Sequence, residues 1–190
     1  MAERPPLVVV GASAGGVLAL RSLLPGLRAD LAASLVIVLH IRESGVDSLI
    51  DLLNQGSGIP VREALHGAAI EKGFAYIAPG NYHLLIERQG CFALSVDDKV
   101  CHARPSIDVL FASAADAWRD RVVGVVLTGS NEDGARGLAE IRARGGRAWV
   151  QSPDEAEAPQ MPEAAIRLAG ADAVLPLADI SRSINQAFPP

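Results

Sequence analysis

Two kinds of apolar pattern alternate along this chain. Residues 7–10, 35–39 and 122–127 are continuous apolar runs. Runs of strand length without polar alternation are the pattern of strands buried on both faces. Between them the apolar spacing changes to three and four. At 15–28, Leu18, Leu20, Leu23, Leu24 and Leu27 form a broad apolar face that predicts a helix, ended near Pro25-Gly26. Residues 46–54 repeat this with Val46, Leu49, Ile50 and Leu53. Residues 107–118 predict an amphipathic helix with Ser106 as its candidate cap. A further helix is predicted at 135–144, and a strand at 147–150. Pro162 suits the first position of a helix running to about Leu168. A short strand at 173–175 and a helix at 177–187 close the chain.

The middle has a different character. Residues 59–61 read as a short extended piece and 74–78 as a strand, followed by a Pro79-Gly80-Asn81 turn. Residues 82–87 and 91–96 flank Arg88-Gln89-Gly90 as a β-hairpin. Strands alternating with helices predict an α/β fold: a doubly wound, mainly parallel sheet with helices on both faces, and the antiparallel β-hairpin at the edge. Without repeats or a linker, residues 1–190 read as a single domain.

Composition removes several classes of function. The formal charge is −5 with both signs mixed, and aromatics are 4% of residues. With no basic block and few stacking rings, nucleic acid is not an expected partner. No apolar run approaches the roughly 20 residues of a membrane span. The stretch before Leu7 is not a signal peptide, so a cytoplasmic location without membrane insertion is expected. Cys91 and Cys101 have no C-x-x-C spacing and read as core or strand-end thiols. His66, His83 and His102 show no metal-ligand spacing; neither a metal nor a cofactor is expected.

In doubly wound folds ligands bind beyond the carboxyl ends of the strands. Those positions carry Ser13, His40 and the loop from Thr128 to Asp133. Gly11-Ala12-Ser13-Ala14-Gly15-Gly16 admits two readings. As a dinucleotide fingerprint it lacks the middle glycine of G-x-G-x-x-G, and the next strand ends in His40 where an acidic ribose ligand belongs. As G-x-S-x-G it presents a nucleophilic hydroxyl on a tight strand-to-helix turn. His40 then supplies a base, and Asp133 an acid to orient the imidazole. Each residue also has a plainer role: Ser13 as a helix cap, His40 as a satisfied polar residue, Asp133 as a cap at Gly134. Glu132 is an alternative orienting acid.

Gly11 to Gly16, His40, the run Arg104-Pro105-Ser106-Ile107-Asp108-Val109-Leu110-Phe111, and Leu127-Thr128-Gly129 with Asp133-Gly134 resemble the catalytic domain of the chemotaxis protein-glutamate methylesterases. Ile77-Ala78-Pro79-Gly80 with His83, and Met161-Pro162-Glu163-Ala164-Ala165, are similar too. The resemblance covers nearly the whole chain, in order. It implies a serine hydrolase that demethylates glutamyl methyl esters, and deamidates certain glutamines, on chemoreceptors. It implies Ser13 as nucleophile, His40 as general base and acid, and Asp133 as its partner. The oxyanion donors implied are the backbone N–H groups of Ala14 and Ser130, with Arg104 binding the acidic receptor helix or serving in a structural ion pair. The partners implied are the cytoplasmic helices of methylated chemoreceptors, and a separate receiver protein.

The sequence departs from the family pattern in places. Ser130-Asn131 replace the usual Met-Gly, which places the oxyanion loop in question because position 131 loses a glycine. Leu39 and Ile41 replace the usual Gln and Met around His40. The receiver domain that precedes the family's catalytic domain does not appear before Leu7, so either a standalone member or an isolated domain is expected, and Asp97-Asp98-Lys99 reads as a solvated turn. Two other functions fit the residues: a receptor-binding module with an impaired oxyanion loop, and a small-ester hydrolase.

Overall fold

The structure, a computed structural model, describes residues 4–40 and 45–190. In chain order the elements are β1 (Leu7–Ala12), α1 (Gly16–Leu23), β2 (Ser34–Leu39), α2 (Val46–Asn54), β3 (Val61–Glu63), β4 (Ala75–Ile77), β5 (His83–Ile86), β6 (Phe92–Ser95), α3 (Ile107–Trp118), β7 (Val122–Val126), α4 (Ala135–Ala143), β8 (Arg147–Gln151), α5 (Gln160–Ala169), β9 (Ala173–Leu175) and α6 (Leu177–Ala187).

Seven strands form one sheet in the order β3-β4-β2-β1-β7-β8-β9, and every pair in it is parallel. The alternation of side chains along β1 explains the two-layered core. Leu7 and Val9 join a cluster with Ile107, Leu110 and Phe111 of α3, Leu138 and Ile141 of α4 and Met161 of α5. Val8 and Val10 join the opposite cluster with Leu20 and Leu23 of α1, Leu49 and Leu53 of α2 and Ile180 of α6. A strand that serves both layers has no solvent face, which is why it reads as a continuous apolar run. Burying each such aliphatic side chain contributes about 1.5–3 kcal/mol.

The chain leaves β1 toward β2 on one side and returns through β7 on the other. The switch point of the winding is therefore at β1, where Gly11 opens the nucleophile-like turn.

The predicted hairpin forms from β5 and β6, which pair with each other in a separate two-stranded sheet. It packs on α3 rather than extending the parallel sheet: Leu84, Ile86 and Phe92 share a cluster with Ala114, Ala117 and Trp118. The Ser113 hydroxyl accepts the Ile86 N–H at 3.1 Å, which satisfies an edge amide of the hairpin. Two boundaries also differ from expectation. The first helix ends at Leu23 in a tight 3-10 turn, Leu24–Gly26, because Pro25 cannot continue the ladder. Helix α5 begins at Gln160, two residues before Pro162; its first turn needs no N–H from that proline. Among the described residues no helix is long and apolar enough to cross a membrane.

Candidate active site

The three candidate residues follow the three central strands. Ala12 pairs with Leu39 and Gly11 with Val126, so β1, β2 and β7 end side by side. One step further, the His40 N–H donates to Ala12 O at 3.1 Å and the Ser13 N–H to Thr128 O at 3.0 Å. Ser13 therefore stands between His40 and the loop that carries Asp133.

The turn at Ser13 is shaped by its glycines. Gly15 has φ +76°, a conformation that L side chains rarely adopt, and leads directly into α1. Gly11 lies so close to α3 that a Cβ there would stand 2.3 Å from Ile107 Cγ2. This approach brings the start of α3 beneath the turn. Thr128 ties the turn to its surroundings: its hydroxyl donates to Ala14 O at 2.9 Å and accepts the Ala158 N–H at 2.8 Å.

His40 Nε2 lies 2.9 Å from Asp133 Oδ2. The ring is 15% exposed and the carboxylate fully buried. Glu132, the alternative acid, points to solvent. Asp133 does not cap the helix that follows it. Its carboxylate closes the start of α3, taking the Ile107 N–H at 2.7 Å on Oδ2, and the Asp108 N–H at 2.9 Å and the Ser106 hydroxyl at 2.8 Å on Oδ1. Ser106 thus precedes α3 as predicted, but its hydroxyl is spent on Asp133 and makes no side-chain cap of its own. Burial pushes the Asp133 carboxyl up. The His40 bond, the two helix amides and the Ser106 hydroxyl outweigh that effect and hold it below the usual carboxylate range. The anion therefore persists in a site without water contact.

Because Asp133 holds Nε2, Nδ1 is the ring nitrogen left to face a nucleophile. Among the described residues no hydrogen bond joins the Ser13 hydroxyl to the ring. Such contacts often close only when substrate is bound.

The loop of residues 127–134 is braced on several sides. The Thr128 N–H donates to the buried Gln151 Oε1 at 2.8 Å. The Gly129 N–H donates to Ala158 O, and Gly129 O accepts the Met161 N–H, both at 2.9 Å. Met161 fills the space above Gly129, where a Cβ would stand 2.6 Å from its thioether sulfur. Asn131 occupies the usual glycine position without a left-handed φ. Its carboxamide oxygen accepts the Asp133 N–H at 3.1 Å, so the asparagine braces the loop. Ala14 and Ser130 are exposed. Among the described residues neither backbone N–H donates to another group.

Arg104 is half-buried and is held by the end of the hairpin. Its guanidinium donates to Val96 O at 2.9 Å and Asp97 O at 3.1 Å, and among the described residues it forms no ion pair. It fastens the exit of the hairpin to the segment entering α3. His83 is buried; its Nδ1 accepts the Ser106 N–H at 3.2 Å and its Nε2 donates to Asp98 O at 3.0 Å. His66 Nδ1 accepts the Leu94 N–H, and His102 is exposed. Both cysteines are free thiols.

Sequence reading missed the support that Gln151 and Thr128 give the loop. It placed Asp108 in a motif without a role. The signal available was a buried-type polar residue at each strand end, which is too general to single them out. Cys101, Asp108 and Asp133 bring potential ligand atoms within 4.8 Å of one another. The oxygens of Asp133 are already filled by four hydrogen-bond donors. A cavity of about 790 Å³ lies at the opposite end of the sheet, lined by Pro6, Ile70 and Phe188, and does not touch these residues.

The chain is similar to known proteins over almost its whole length. Residues 8–184 match the CheB methylesterase family. A relative from Leptospira interrogans is 42% identical over 174 residues, covering 92% of this chain and 90% of that protein. A protein-glutamate methylesterase/protein-glutamine glutaminase from Symbiobacterium thermophilum is 38% identical and covers 95% of this chain. One from Anaeromyxobacter dehalogenans is 46% identical and covers 90%. The chain spans about half the length of these last two, at 50% and 48%. The crystal structure of the Thermotoga maritima CheB methylesterase catalytic domain superposes with a TM-score of 0.94 at 31% identity, covering 97% of this chain and 99% of that one. The chain belongs to the CheB methylesterase family of hydrolases.

Proposed function

We propose that residues 1–190 form a single catalytic domain that hydrolyses glutamyl methyl esters on chemoreceptor-type proteins through Ser13, His40 and Asp133. The observation that carries this is the 2.9 Å bond from His40 Nε2 to a buried, ionised Asp133, one strand over from the Ser13 turn.

His40 Nδ1 takes the Ser13 proton as Oγ attacks the ester carbonyl. Asp133 keeps the other nitrogen protonated and stabilises the imidazolium that forms. The N–H groups of Ala14 and Ser130, which donate to no other group among the described residues, are the donors this reading assigns to the oxyanion. One such donor is worth roughly 2.7–4 kcal/mol of barrier. His40 returns the proton to the methoxy group, methanol leaves, and the glutamyl carbonyl remains bonded to Ser13 Oγ. Water activated by His40 then attacks that ester, releasing the glutamate carboxylate and restoring the serine. A glutamine substrate follows the same path with ammonia as leaving group, in keeping with the relatives' double name.

Several features support this reading. Ala14 and Ser130, on either side of Ser13, are exposed, as access for a helix-borne ester requires. The bracing of Asn131 argues for a working loop over a binding-only module. In this reading the enzyme is cytoplasmic and works on the cytoplasmic helices of its receptor. The test is methanol release from a receptor carrying labelled methyl esters. Release by the parent and none by Ser13→Ala supports the proposal. Fast cleavage of simple acyl esters with no release from receptor points instead to a small-ester hydrolase.

A further inference from the structure

Helices α3 and α4 close each other's amino ends by exchange. Asp133, just before α4, accepts the Ile107 and Asp108 N–H groups at the start of α3. Asp108, in that same turn, accepts the Gly134 N–H at 2.9 Å and the Gly137 N–H at 2.7 Å at the start of α4, both on Oδ1. Each carboxylate thus answers amides that its own helix cannot satisfy. The helices are in close contact here: a Cβ on Gly137 would stand 2.5 Å from Phe111 Cβ and 2.9 Å from Asp108 O.

The exchange has a consequence for the reaction. Gly134 is bonded directly to Asp133. Its N–H, held by Asp108, belongs to the peptide linking the two residues. The Asp108 N–H fixes one carboxylate oxygen of Asp133 while the Asp108 side chain fixes the backbone behind it. Two anchors from one residue leave the Asp133 carboxylate little freedom to turn from His40. Asp108 is 8% exposed and is not itself positioned to touch a substrate.

We propose that Asp108 is a positioning residue of the hydrolytic reaction, holding Asp133 against His40 through its bonds to Gly134 and Gly137. The proposal rests on the Ser13–His40–Asp133 reading. The role needs an acceptor oxygen at Oδ1, not a negative charge. The groups around Asp108 agree with this. Burial and the neighbouring Asp133 anion push its carboxyl up, against the two glycine amides and Arg136. Among the described residues its second oxygen meets only the Cys101 thiol, at 4.0 Å.

The test compares Asp108→Asn, Asp108→Glu and Asp108→Ala with the parent and with Asp133→Asn. Asparagine keeps the acceptor oxygen at the same reach. Glutamate keeps the charge but adds a methylene that displaces Gly134. The readouts are kcat and KM for methanol release, the pH profile of kcat, and the rate at which a fluorophosphonate labels Ser13. Thermal melting counts the folded fraction. Expected are a near-parent Asp108→Asn, and a kcat about 10²-fold lower in the folded alanine or glutamate variant with KM unchanged. The pH profile should move in those two and hold in Asp108→Asn. Should the alanine variant not fold, the asparagine–glutamate contrast decides. Asp108→Glu at parent rate, or Asp108→Asn as slow as Asp108→Glu, overturns the proposal. If Asp133→Asn is also at parent rate, the fault lies with the triad. If Asp133→Asn is inactive, only the role of Asp108 falls.

Discussion

Asp133 binds His40 through Nε2, at 2.9 Å, which in the proposed reaction leaves Nδ1 to take the Ser13 proton. This fixes which tautomer can work: Nε2 protonated and Nδ1 free. Asp133→Asn presents an amide that donates where a carboxylate must accept, and favours the wrong tautomer. The expected loss in kcat is about 10⁴-fold, with KM little changed. Steady-state methanol release measures both parameters.

The same carboxylate makes stability depend on pH. Its folded pKa lies below the unfolded value of about 3.9. The stability it contributes is fully present above the unfolded pKa and is lost as pH falls through the folded one. Below about pH 5, where the carboxylate itself titrates, the melting-temperature advantage of the parent over Asp133→Asn should therefore shrink as pH falls. Scanning calorimetry of the two proteins from about pH 5 downward reads it. An advantage that grows as pH falls below about 5 contradicts the assignment.

Thr128 links the nucleophile turn to the opposite loop. Thr128→Val keeps the shape but removes the hydroxyl bonded to Ala14 O and Ala158 N. A buried amide left without its acceptor costs about 1–3 kcal/mol. The turn that carries the Ala14 N–H also loses a restraint, so kcat should fall while KM holds. Denaturant melts and turnover together check both halves.

Gly137 marks the contact between α3 and α4. A methyl group there meets Phe111 and the Asp108 backbone. Gly137→Ala should cost about 1–3 kcal/mol through overpacking, visible as an earlier urea midpoint.

Much of the fold was legible because its strands are buried on both faces. Leu7 to Val10 cannot be read as anything that meets water, and the helices between such strands fix the winding. The placement of the hairpin was less legible. Alternation along 82–87 and 91–96 predicts pairing, but not that Leu84 and Phe92 find their partners on α3. At the site, Ser13 and His40 could be singled out as candidates because strand ends are where ligands bind. The manner of Asp133's support was not visible. Its carboxylate closes a helix that begins 26 positions earlier in the chain, at Ile107. Nothing local to Glu132-Asp133-Gly134 announces that. Ser106 looked like a cap for its own helix because the spacing fits, and only the three-dimensional approach of the loop shows its hydroxyl turned to Asp133. Position 131 also needed the structure: a lost glycine matters where φ is positive or another group approaches closely, and Asn131 has no left-handed φ.

The central claim is that Ser13 is a nucleophile activated by His40. The most direct measurement is mass spectrometry of the protein after reaction with a fluorophosphonate, with peptide mapping of the adduct. The account predicts one adduct, on Ser13, formed in the parent and absent or strongly slowed in His40→Ala. An adduct elsewhere, or equal labelling of Ser13 with and without His40, contradicts it.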